Sequence, residues 1–151
     1  MSSTPSSPIA TVSTAAVRAG RIVSAIPALF LLFDGATKLM MIKPVVEGSA
    51  QLGYPPGVVP GLGATVLACL ALYLWPRTSV LGAILLTGFL GGAVATHVRV
   101  GNPLFTHVLF PTYLGALVWG GLWLRDARVR ALFPLPFRTA RRQPVLVRRV
   151  A

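Results

Sequence analysis

Apolar residues run through this chain in four blocks, over about 19–42, 58–75, 79–98 and 104–124, with polar residues gathered between them. Each block is close to the ~20 residues a helix needs to cross the hydrocarbon core. The pattern predicts an all-α integral membrane protein, a bundle of four spanning helices. Pro27 predicts a kink in the first of them. Lys43-Pro44 closes that helix. A turn-rich stretch with Glu47, Gly53-Tyr54-Pro55-Pro56 and Pro60 follows. A short re-entrant or interfacial segment is expected over 51–54. Pro76-Arg77-Thr78 makes a tight hairpin turn between the second and third spans, and 99–103 links the third to the fourth. Residues 1–17, rich in Ser, Thr, Pro and Ala, read as a disordered tail, 18–133 as the membrane domain, and 134–151 as a basic tail.

Arg18 and Arg21 before an apolar run resemble the n-region of a cleaved signal peptide. Apolar character resumes over 39–42 and no small-x-small cleavage site follows, so the segment is expected to stay. Trp75, Trp119 and Trp123 fall near expected span ends, where interfacial anchoring is common. Small-x-x-x-small pairs at Gly57/Gly61, Gly88/Gly92, Gly91/Ala95 and Ala116/Gly120 predict close helix packing there.

Composition supports the membrane reading. The chain is 54% hydrophobic and only 11% charged, against about 25% charged in soluble proteins. Its net charge of +11 is placed for topology. Eight arginines lie between Arg125 and Arg149, and with Arg18, Arg21 and Arg77 they make eleven on one side; Lys38, Lys43 and Arg99 are left for the other. The positive-inside rule then places both termini in the cytoplasm. Basic residues interleaved with aromatics on a folded scaffold are lacking, so no nucleic-acid partner is expected, and the lipid bilayer is. Cys69 is the one cysteine, which excludes an internal disulfide or a Cys-x-x-Cys pair.

Candidate chemistry lies at one end of the bundle. Asp34, one of three carboxylates, and Lys38 sit one turn apart in the first apolar run. A charge at a helix centre in lipid costs about 2.5–3.5 kcal/mol on insertion scales, so such a pair invites a functional reading. The bland reading is a self-neutralising pair that fixes packing. Asp34 lies roughly 20 Å along its helix at 1.5 Å per residue, in the outer half of the membrane. Thr96, His97, Arg99, Asn102, Thr106 and His107 belong to the same level, and the inner half offers almost nothing comparable. Imidazoles there can relay protons, Arg99 and Lys38 can attract an anion, and Asp34 can accept a bond from a polar head. Equally, the histidines can be interfacial side chains with wet tips, Arg99 can snorkel to headgroups, and Asn102-Pro103 can be a plain turn. His97 and His107 are separated by a spacing that matches no familiar ligand pattern, so no metal is expected. Nucleophile-elbow, P-loop, dinucleotide and haem motifs are missing.

Gly20-Arg21-Ile22 through Leu31-Leu32-Phe33-Asp34-Gly35-Ala36-Thr37-Lys38 resembles the opening helix of DoxX-like membrane proteins. Leu52-Gly53-Tyr54-Pro55, the block from Gly91 to Pro103, His107, Phe110-Pro111 and the segment Trp119 to Asp126 continue the likeness over about 18–133. The resemblance implies a multi-pass protein of the bacterial cytoplasmic membrane. Members of the wider family include a membrane subunit of thiosulfate:quinone oxidoreductase and a component of thiol-redox complexes. Taken with the outer-half cluster, it gives the expectation of a redox-associated subunit that binds a quinone or small polar ligand at Asp34, Lys38, His97, Arg99, Asn102 and His107, with a membrane or redox protein, or a second copy, as partner. Two other readings stay open: a small transporter or ligand sensor, and a non-catalytic assembly partner. Whether the chain is itself an enzyme is not decided by its residues.

Overall fold

The computed structural model describes residues 13–132, and every regular element among them is helical. Helix α1 spans Thr14–Leu39, α2 Lys43–Gln51, α3 Val59–Leu74, α4 Ser79–Arg99, α5 Phe110–Arg125 and α6 Ala127–Leu132. A 3₁₀ turn over Pro56–Val58 leads into α3, and a π-type turn over Leu104–Val108 leads into α5. With those turns included, four segments are long and apolar enough to cross a membrane: Thr14–Leu39, Pro56–Leu74, Ser79–Arg99 and Leu104–Arg125. The expected tails 1–12 and 133–151 lie outside the described residues.

Local chemistry moves two boundaries from where the sequence suggested. α1 starts at Thr14, inside the stretch read as disordered, because the Ser13 hydroxyl accepts the Ala16 N–H at 3.3 Å and caps the first turn. The helix runs on through Pro27, which is buried. It ends where Met41 turns back with a φ of 53°. Between the first two spans, the expected segment at 51–54 is instead α2, placed earlier. Pro44 sits in its first turn, where a missing N–H costs nothing. Lys43 and Glu47 face each other at i,i+4 on its exposed side, 3.9 Å apart.

The long helices pack in an antiparallel ring, α1 against α3, α3 against α4, α4 against α5 and α5 back against α1. Leu31, Val66, Leu70, Leu86, Leu90, Leu114 and Val118 fill the middle. Glycines set the closest approaches, though not those of the expected motifs. A Cβ on Gly35 would meet Leu67 at 2.6 Å, and one on Gly63 would meet the Gly35 carbonyl at 2.8 Å, so α1 and α3 touch backbone to side chain. Gly20 meets the Gly121 carbonyl in the same way across α1 and α5, and Gly82 lies against the backbone of Tyr73. Gly57, Gly61, Gly88, Gly91, Gly92 and Gly120 have open space instead. The i,i+4 spacing gives a smooth helix face without choosing which face turns inward.

The end of the bundle where α1 begins and α5 ends, its base, is tied by a polar hub that the residue pattern did not suggest. Tyr73 is fully buried; its hydroxyl donates to the Val118 carbonyl at 3.0 Å and lies 2.9 Å from the Ser24 hydroxyl. Three helices are joined there. The Arg125 guanidinium stacks 4.9 Å from the Tyr73 ring, and Arg130 packs 4.8 Å from Trp123. Trp119 donates to the Thr87 hydroxyl at 2.9 Å and so binds α5 to α4. Asp126 accepts the Arg128 N–H and guanidinium at the start of α6, and the Arg128 hydrogen bond holds its carboxyl below the ordinary range.

Candidate functional site

At the opposite end the helices surround a partly open cavity of about 690 Å³. Its floor is the buried side chains of Leu31, Leu90 and Leu114, one each from α1, α4 and α5. Its roof is α2, which turns Val45, Gly48, Ser49 and Gln51 toward the space. Asp34 and Lys38 come from α1, Thr96 and His97 from the last turns of α4, and Asn102 and His107 from the connection to α5.

Five of the six sequence candidates thus share one wall-to-wall space. Asp34 and Lys38 form an i,i+4 ion pair with a hydrogen bond from the ammonium to Oδ1, and both are mostly buried. The imidazoles of His97 and His107 meet edge to face with ring centroids 5.8 Å apart. Asn102 Nδ2 donates to His97 Nδ1 at 2.8 Å. An amide nitrogen is a donor only, so the neutral His97 ring carries its proton on Nε2. Thr106 Oγ1 lies 2.8 Å from His107 Nδ1. A hydroxyl both donates and accepts, so this ring is free to take either tautomer, and it is exposed at the cavity rim.

Arg99 stands apart. It does not line the cavity; Nη2 donates to the Leu52 carbonyl at 2.7 Å, and the guanidinium covers Gly53, whose φ is +84°. Next to it, Tyr54 donates to the Thr96 hydroxyl at 2.9 Å, and Thr96 in turn donates to the Gly92 carbonyl. Two straps therefore hold the roof on α4. Ser49, Gln51 and Tyr54 line the space without having been marked by the sequence. The available signal was Lys43-Pro44 with Glu47 four residues beyond Lys43, a helix start inside a stretch read as turns.

Such an arrangement offers a fixed N–H donor, an exchangeable imidazole, a paired cation and an accepting carboxylate above an apolar floor. Among the described residues, no group of three or more His, Cys, Asp or Glu side chains stands close enough to hold a metal ion. Cys69 is buried in the core, away from the cavity lining. Neither a curated protein nor a solved structure matches the chain. The sequence model of the DoxX-like family matches residues 22–121, a range that contains every cavity residue named above.

Proposed function

The chain belongs to the DoxX-like family, and from that premise we propose that it is a redox-associated membrane subunit whose outer-half cavity binds a quinone or a similar small ligand with a carbonyl or hydroxyl head. One observation carries the reading: His97, with its tautomer fixed by Asn102, and His107, with its tautomer free, line the same chamber as the Asp34–Lys38 pair. The fixed Nε2–H of His97 is suited to donate to a ring carbonyl. His107, exposed at the rim, is suited to pass protons between the chamber and water. Lys38, already neutralised by Asp34, can add a donor without bringing unbalanced charge into the space. Electrons would come from a membrane or peripheral redox partner, and the chain would contribute binding and proton exchange. The basic residues around the termini favour the base of the bundle in the cytoplasm and the cavity on the far side of a bacterial cytoplasmic membrane.

The test is thermal stabilisation of the purified full-length protein by short-chain quinone analogues. Stabilisation is expected in the wild type and in Arg99→Lys. It should weaken by about tenfold in apparent affinity in His97→Ala, where one hydrogen bond to a buried group is lost, and also in Asp34→Asn. Absence of stabilisation by any quinone would overturn the reading.

A further inference from the structure

Gly88 and Gly92 of α4 line the cavity, are exposed, and have nothing within 4 Å of where a Cβ would stand. Leu62 of α3 and Phe89 of α4 line it from the two sides of the same seam. Nearer the base that seam is shut, with Gly82 packed on the Tyr73 backbone. α3 and α4 therefore close tightly at one end and leave the chamber's side wall bare of side chains at the other. In a membrane-spanning bundle that wall faces lipid tails. His107, by contrast, is exposed on the rim at the end of the bundle, where water arrives. One chamber thus meets both solvents, apolar below and at its side, polar above.

From this geometry we propose that the ligand is a single-tailed, lipid-soluble amphiphile that enters from the bilayer between α3 and α4. Its polar head lies among His97, His107 and the Asp34–Lys38 pair, and its tail leaves over Gly88 and Gly92. The proposal rests on the ligand-binding reading above and specifies what is bound and by which route. The volume of about 690 Å³ fits a head and the first part of a tail, since pockets of about 300–1,000 Å³ enclose most of a drug-sized molecule. A freely water-soluble ligand would have no use for an uncovered wall on the lipid side.

The experiment compares tetramethylbenzoquinone with the same ring carrying a decyl tail, bound to the full-length protein in nanodiscs and corrected for partition into lipid. The tailed ring is expected to bind about tenfold more tightly. Gly88→Leu and Gly92→Leu, which fill open space, should lower the tailed ring's affinity by a larger factor than the tailless ring's and so remove that advantage. A tailed ring with a terminal diazirine should label peptides of α3 and α4, a readout that needs no variant to fold. Equal affinity of the two rings, indifference of the tailed ring to both leucines, or label found only in α1 and α5 would each overturn the lateral route. Failure of both rings to bind would instead overturn the ligand-binding reading itself.

Discussion

Tyr73 joins helices through its hydroxyl at the base, and Tyr54, just past α2, ties that segment to α4 at the opposite end. Tyr73 has no exposed surface, so Tyr73→Phe leaves the Ser24 hydroxyl without its tyrosine partner. The expected loss is about 1–3 kcal/mol, the desolvation of a buried polar group left unpaired, read by reversible unfolding in mixed micelles. Tyr54 and Arg99 instead hold the roof, and their removal should loosen α2 while the rest of the bundle stays intact. At this scale the sequence was informative about charge and poor about hydroxyls. Asp34, Lys38 and the two histidines stood out because ionisable groups are rare in apolar runs. A tyrosine or serine there is common, and only the packed neighbours reveal whether its hydroxyl bridges two helices. Arg99 drew notice as a charge; its pairing with a backbone carbonyl 47 residues back along the chain could not be read from spacing.

The helices were legible as lengths, and their contacts were not. The four apolar blocks coincide with the spanning segments to within a few residues, except at the first start, where the Ser13 cap extends α1. Which glycines meet a neighbour depends on how each helix is rotated about its axis, and Gly-x-x-x-Gly marks a smooth face without giving that rotation. The structure separates the two kinds clearly. Gly82→Ala places a methyl against the Tyr73 backbone and should destabilise the bundle by about 1–3 kcal/mol, as overpacking does. Gly88→Ala adds the same methyl to open space and should be neutral or stabilising by up to about 1 kcal/mol, the helix-propensity gain. Parallel unfolding curves for the two variants check the pair; similar destabilisation of both would contradict the α3–α4 packing. α2 was harder to see because only one face of a short helix is apolar, and in a turn-rich stretch its Pro44 reads as a breaker rather than as a first-turn residue.

Across the whole molecule, the base gathers arginine and the cavity end gathers histidine, and the four helices alternate direction between them. A fluorescent reporter at the C-terminus should glow in the cytoplasm, and alkaline phosphatase inserted after Asn102 should be active outside; the reverse pattern would refute the orientation drawn from the basic residues. Each of the three acidic side chains has a cation nearby in its own sequence: Asp34 with Lys38, Glu47 with Lys43, Asp126 with Arg128. Such pairs form as soon as their own segment is made, before any other helix arrives. The first helix can therefore leave the translocation machinery already electrically balanced, and biogenesis does not wait on tertiary packing to quench a charge in lipid. Lys38→Met alone strands a carboxylate, and its insertion in a translation assay with microsomes should fall more than that of Asp34→Leu with Lys38→Met together, by the about 2.5–3.5 kcal/mol a lone charge costs at a helix centre.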